Sequence, residues 1–176
     1  VHAEIHNTLK HLKVWMRPER VSTPLALQVA ESFIHRAPLG IVLIIGPWNY
    51  PAQLILAPLI GAIAAGNCAL VKPSNEAPRT AAVIERILTK VFDPGHVSVV
   101  QGPGSAVGPQ LFERFRFDHI FFTGSPNVGK KVAAMAAPTL TPVTLELGGK
   151  SPAMVDRHAD VDIAARRIAL AKYFNA

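Results

Sequence analysis

Cysteine is almost missing from this chain of 176 residues. Cys68 is the only one, which excludes an internal disulfide framework and leaves no thiolate set for structural zinc. The seven histidines include no pair at metal-ligand spacing within one element. His2, His6 and His11 read as solvated residues near the N-terminus and His158 as a loop residue, so no metal site is expected. The net charge of +6 comes from Lys and Arg scattered through helical stretches, without a dense basic tract or interleaved aromatics. That pattern argues against nucleic-acid binding, while a phosphate-bearing small ligand suits it equally well. No signal peptide opens the chain, and a cytoplasmic location is expected. Charge is absent from Ala37 to Val71, a run long enough to span a bilayer. Pro38, Gly40, Gly46, Pro47, Pro51, Pro58, Gly61 and Gly66 interrupt it, and a lipid-exposed backbone could not be satisfied through them. A strand, a turn, a buried helix and a second strand are expected there instead of a membrane span.

What is present is alternation. Hydrophobic residues make up 49% of 18.9 kDa, enough for the core of one ordinary domain or for an incomplete one. Leu9, Leu12 and Trp15 give a helical period over His6–Trp15, and Val21–His35 mixes apolar and polar residues as strands do. From there the spacing predicts a strand over Ile41–Ile45, a helix over Ala52–Ala65 ended by Gly66-Asn67, and a strand over Cys68–Val71. Further on it predicts helices over Ala81–Val91, Ala106–Phe115, Val128–Ala137 and Asp160–Tyr173. Strands fall between them over Val97–Val100, His119–Phe122 and Val143–Leu147. In the first of these helices Val83, Ile84, Ile87, Leu88 and Val91 form the expected buried side. Continuous apolar strands imply cover on both faces. The succession therefore reads as a doubly wound α/β, mostly parallel sheet with helices on both faces, with a crevice beyond the strands' C-terminal ends.

Residues able to carry chemistry gather at those strand ends. In Gly46-Pro47-Trp48-Asn49-Tyr50-Pro51, Asn49 offers an amide to a developing oxyanion, a contact worth about 3 kcal/mol. Alternatively it caps the next helix. Lys72, in Lys72-Pro73-Ser74-Asn75, either meets a ribose hydroxyl or phosphate or is an ordinary surface lysine. Phe122-Thr123-Gly124-Ser125-Pro126-Asn127-Val128-Gly129 reads as strand, tight turn and helix start. Gly124 admits a pyrophosphate, Ser125 supplies a hydroxyl and a cap, and Gly129 allows close packing, though the Gly-x-Gly-x-x-Gly fingerprint is not reproduced. Gly104 and Gly108, in a second glycine turn, serve tight packing or edge an adenine pocket. Glu146 is expected as a buried carboxylate in an apolar strand, either a general base or one half of an ion pair with Lys150. Cys68 is expected as a small core residue.

Five motifs occur together in a fixed order: Gly46–Pro51, Gly61-Ala62-Ile63-Ala64-Ala65-Gly66-Asn67, Lys72-Pro73-Ser74, Phe122-Thr123-Gly124-Ser125 and Leu145-Glu146-Leu147-Gly148-Gly149-Lys150-Ser151-Pro152. With them the chain resembles the NAD(P)-dependent aldehyde dehydrogenase superfamily, and Leu12–Ala176 is most similar to its class 3-like branch. The resemblance implies a parent enzyme that oxidises a small-molecule aldehyde to a carboxylic acid. In such enzymes a cysteine thiolate attacks the carbonyl, the residue at Asn49 helps hold the oxyanion, hydride passes to the nicotinamide, and the residue at Glu146 activates water against the thioester. It also implies NAD or NADP as cofactor. Lys72 would lie at the adenosine ribose, Ser125 at the pyrophosphate, Gly124 and Gly129 in the turn beneath it, and Trp48 alongside.

Where family members commonly carry glutamate, this chain has Asn75. A neutral side chain there removes repulsion of a 2′-phosphate, so tolerance of both cofactors is expected unless Glu76 turns inward. The family's nucleophile would fall near position 180, in a Gly-Gln-x-Cys sequence after a stretch like Lys172–Ala176. The expected organisation is a helical segment over 1–20, oligomerisation or bridging strands over 21–36 and a cofactor-binding domain over 37–176. No catalytic domain is expected, so the fragment itself should be inactive, and the intact enzyme should be a homodimer. Two rival readings are a non-enzymatic nucleotide-binding module and an acylating or acyl-phosphate-forming relative on the same scaffold.

Overall fold

A computed structural model describes residues 1–174; Asn175 and Ala176, the end of the Lys172–Ala176 stretch, lie outside the described residues. Helix α1 (His2–Trp15) leads into an antiparallel pair, β1 (Glu19–Val21) and β2 (Ser32–Ile34), with Arg20 opposite Phe33. Two exposed ion pairs, Arg20–Glu31 at 2.5 Å and Arg36–Glu19 at 2.7 Å, clasp this hairpin. Exposed pairs of this kind add little stability.

The strand and helix alternation then runs as β3 (Ile41–Ile45), α2 (Gln53–Ala64), β4 (Cys68–Lys72), α3 (Pro78–Val91), β5 (Val97–Val99) and α4 (Gly104–Arg114). It continues with β6 (His119–Gly124), α5 (Pro126–Ala136), β7 (Val143–Leu147) and α6 (Val161–Tyr173). Strands β3 to β7 form one parallel sheet in the order β5-β4-β3-β6-β7. The side-chain period of two explains why β3 is apolar throughout. Val42 and Ile44 pack with Ile55 and Leu59 of α2 and with Ile84 and Leu88 of α3. Leu43 packs on the other face with Leu111 of α4 and Val132 and Ala136 of α5.

Helix α2 stops as its glycine predicts. Gly66 has a φ of 82°, and the Asn67 N–H reaches back to the Ala62 carbonyl at 3.0 Å, the hydrogen bond of a left-handed C-terminal cap. The buried Asn67 side chain then accepts from the Leu39 and Gly40 N–H groups at 2.7 and 3.0 Å, tying the helix end to the start of β3.

One face prediction needs correcting. Helix α3 buries Ala81, Ile84 and Leu88, while Val83, Ile87 and Val91 are exposed. Those three stand four apart on a neighbouring row of the helix, and the sheet meets only one row. Most boundaries lie within two residues of the sequence reading, whereas α1 begins four residues earlier and α3 three. β4 and β6 run further toward the crevice, because Lys72 pairs with Ile45 and Gly124 with Leu147 inside the sheet.

Candidate active site

Connections leave β3 and β6 toward opposite ends of the sheet, which makes the space beyond these two neighbours the switch point where α/β folds bind ligands. A cleft of about 1210 Å³ opens there. Its walls include Trp48, Asn49, Lys72, Asn75, Gly104, Gly108, Gly124, Ser125 and Glu146. Gly129 is not on the walls. It lies buried beneath them, where an added Cβ would fall 2.8 Å from Leu147 Cδ2 and 3.5 Å from Phe122 Cε1. It therefore sets how closely α5 approaches β6 and β7.

Lys72 is the most unusual of these side chains. It ends β4 with only 5% of its surface exposed, which overturns the surface-lysine reading. Its Nζ donates to the Pro73 carbonyl at 3.3 Å. The two ion pairs among the described residues involve other groups. Burial lowers its pKa from 10.5. A Cβ built on Gly104, the first residue of α4, would sit 4.0 Å from Lys72 Cε. No side chain caps α4, so its leading N–H groups remain available to an anion beside that ammonium.

Ser125 is the cap of α5, its Oγ accepting from the Val128 N–H at 3.4 Å. Asn75 is exposed and donates to Glu76 Oε1 at 2.9 Å, while Glu76 is outside the cleft walls. The inward turn of Glu76 is thus not the one observed. Asn49 is half-buried in the wall and is not the cap of α2, which starts after Ala52 without any side-chain cap.

Glu146 requires a correction. It is exposed, not buried, and it forms no ion pair with Lys150 among the described residues. The cause is the position of β7 at the edge of the sheet. Val143 and Leu145 pack toward the α4 and α5 core, but Thr144 and Glu146 point to the other face, where α2 and α3 pack over the β3 to β5 half. Thr144 there meets His119, with Oγ1 3.0 Å from Nε2. Partial burial lowers the His119 pKa from 6.5.

Cys68 is half-buried rather than a core residue. It begins β4, at the end of the strand away from Lys72, and is outside the cleft. No group of three or more His, Cys, Asp or Glu able to hold a metal occurs among the described residues. No described helix is long and apolar enough to cross a membrane.

Sequence reasoning missed Glu4, Ser105 and Lys131, which also line the cleft. For Lys131 the signal was legible: Val128, Lys131, Val132 and Met135 share one helix face, and all four are walls. For Glu4 there was none, since the docking of α1 on α2 has no local signature.

A parallel sheet with its cleft at the switch point, a buried lysine and two glycine turns opening into helices define a Rossmann-like α/β domain. Residues 2–176 match the model of the aldehyde dehydrogenase family, and the chain belongs to that family, in its class 3-like branch. It is 49% identical over 174 residues to aldehyde dehydrogenase family 3 member B1 of Mus musculus, covering 99% of this chain and 37% of that protein. It is 48% identical over 167 residues to 4,4'-diaponeurosporen-aldehyde dehydrogenase of Staphylococcus aureus, covering 95% and 36%. Among solved structures, the substrate-bound state of Staphylococcus aureus AldH superposes with a TM-score of 0.91 at 46% identity, over 97% of this chain and 37% of that one. The chain thus spans a little over a third of the length of these relatives.

Proposed function

We propose that the intact enzyme oxidises an aldehyde to a carboxylic acid with NAD or NADP, and that this chain supplies the cofactor cleft, an oxyanion donor and a general base. One observation carries the reading: the side chains nominated for separate chemical roles line a single cleft, Asn49 following β3 and Glu146 on β7. One strand, β6, lies between, so the strand axes are about 10 Å apart. A reacting carbonyl would sit in the cleft that both side chains line.

The cleft suits the cofactor physically. Gly108 lets α4 pack close to α5, an added Cβ falling 3.6 Å from Met135 Cε, and Phe112, Val132 and Met135 give apolar wall for a heterocycle. Lys72 with the start of α4 would hold the ribose and any 2′-phosphate. Asn75 sets no charge against that phosphate, and Glu76 stays outside the cleft walls, which supports use of both cofactors. Ser125 and the start of α5 would hold the pyrophosphate, Gly124 and Gly129 let the chain turn closely below it, and Trp48 flanks it. The bound nicotinamide supplies the hydride acceptor. Asn49 donates to the carbonyl oxygen as charge grows there, and the exposure of Glu146 gives it direct access to the water it would deprotonate.

The attacking thiolate would come from a cysteine other than Cys68, whose place at the far end of β4 keeps it from the cleft. Residues 37–176 form the cofactor-binding unit, and the β1–β2 hairpin with its exposed Phe33 and Ile34 would join a second subunit in a homodimer. A lone thiol fits a reducing compartment, which supports a cytoplasmic location.

The test uses the intact parent. Asn49→Ala should lower kcat by roughly a hundredfold to a thousandfold. Glu146→Gln should keep a first burst of reduced nicotinamide while steady turnover collapses. Undiminished steady turnover in the glutamine variant would defeat the base assignment and point to acyl transfer to an acceptor other than water.

A further inference from the structure

Tyr50 adopts a backbone that both its residue type and its neighbour disfavour. Its φ is 49°, in the left-handed region that glycine occupies freely and bulky L-residues rarely do. It also precedes Pro51, a context that drives a residue to extended backbone with φ near about −120°. Among the described residues two other non-glycines share a positive φ, Leu140 and Ser151. Leu140 simply closes a short 3-10 turn, and Ser151, which also precedes a proline, lies in the exposed segment after β7. Tyr50 alone adjoins a residue assigned to the reaction.

Side-chain burial does not explain the strain. Tyr50 is 43% exposed and is not on the cleft wall. What is fixed is the path of the chain around it. Gly46 is buried against Ile55, where a Cβ would lie 2.6 Å from Cδ1. On the other side the Tyr50 carbonyl accepts the Leu54 N–H at 3.0 Å as the chain enters α2. Between these anchors, Asn49 has two places to go. An asparagine just ahead of a helix ordinarily bonds the helix's free N–H groups. Here α2 has no side-chain cap and Asn49 lines the cleft.

We propose that Tyr50 is a positioning residue whose left-handed backbone turns Asn49 away from the α2 terminus and into the cleft. The inference rests on the oxyanion reading of Asn49 and assigns to Tyr50 the geometry that reading requires. Strain of this type persists where the surrounding structure enforces it and accumulates at reacting centres.

The experiment compares Tyr50→Val, Tyr50→Asn and Tyr50→Gly in the intact parent, alone and combined with Asn49→Ala. It reads kcat, aldehyde KM, cofactor Kd and thermal unfolding. Valine resists left-handed backbone, so kcat should fall about tenfold to a hundredfold, the scale of a misplaced catalytic group, with KM and cofactor Kd little moved. Asparagine and glycine reach that backbone readily and should lose far less. In the Asn49→Ala background the valine change should cost almost nothing more, because its effect passes through the missing amide. Should the valine variant fail to fold, Tyr50→Ala carries the same expectation with a smaller loss.

The proposal is overturned if asparagine and glycine fall with valine and KM rises, which would make the ring a substrate contact. It is equally overturned if valine is as active as tyrosine, or if losses add in the double variants. If Asn49→Ala alone leaves kcat intact, the oxyanion reading fails and takes this inference with it. A damaged Asn49→Ala without the predicted order at position 50 sinks the Tyr50 inference only.

Discussion

At Lys72, burial without a carboxylate partner leaves a charge that an anionic ligand would complete. The sign of the resulting pH dependence follows from the lowered pKa. Between that value and 10.5 the unfolded chain holds more protons than the folded one, so stability without ligand rises with pH through that window. Phosphate binding needs the ammonium, so affinity should move the opposite way and weaken as pH climbs through the same window. Calorimetric titration of NADP+ against pH should show this alkaline loss in the parent sequence and lose it in Lys72→Arg, where the charge does not titrate. A flat profile for both would remove Lys72 from the cofactor site. The Lys72-Pro73-Ser74 motif made the position legible in the sequence, but its burial depended on the first turn of α4 arriving alongside, a contact between segments 32 residues apart by number (104 − 72). Glu146 erred in the other direction. Its strand does alternate, Val143, Leu145 and Leu147 against Thr144 and Glu146, and a rule built for central strands assigned it cover on both faces.

Elements were easier to read than their neighbours. Apolar periodicity located every helix and strand of the sheet region and Gly66 marked the end of α2, but the starts of α3 and α5 were read at Ala81 and Val128, past the prolines that open them at Pro78 and Pro126. The order β5-β4-β3-β6-β7 was beyond local pattern, since pairing partners such as Ile45 and Phe122 are brought together only by the crossing helices. The closeness of α5 to the sheet was foreseeable from Gly129 alone, and it can be tested against a nearby glycine without such a role. Gly129→Ala places a methyl 2.8 Å from Leu147 Cδ2 and should destabilise by about 1–3 kcal/mol through overpacking. Gly148→Ala meets no atom within 4 Å and should stay within about 0.5 kcal/mol. Urea midpoints at unchanged slope measure both. Equal effects would show that α5 has slack where the geometry gives none.

Across the whole molecule, apolar surface is distributed in a way the sheet does not use. Helix α6 buries none of its residues, and Val161, Leu170, Tyr173 and Phe174 all face outward. The β1–β2 hairpin exposes Leu25, Leu27, Val29 and Phe33 as well. Apolar residues gathered this way favour association over solution, whereas both core clusters are built from the sheet, the helices α2 to α5 and Phe117 of the loop before β6. Folding and self-association should therefore separate in the 176-residue chain. Sedimentation should show concentration-dependent assembly, and Phe33→Glu and Leu170→Glu together should shift it toward monomer. Cooperative unfolding should change little, because neither side chain belongs to a core cluster. The same preparation supplied with aldehyde and NAD+ should form no NADH, Cys68 being remote from the cleft. A monomer at every concentration would mean that these exposed faces are too dispersed to act as surfaces. A double variant that no longer unfolds cooperatively would mean that the sheet depends on elements it does not touch.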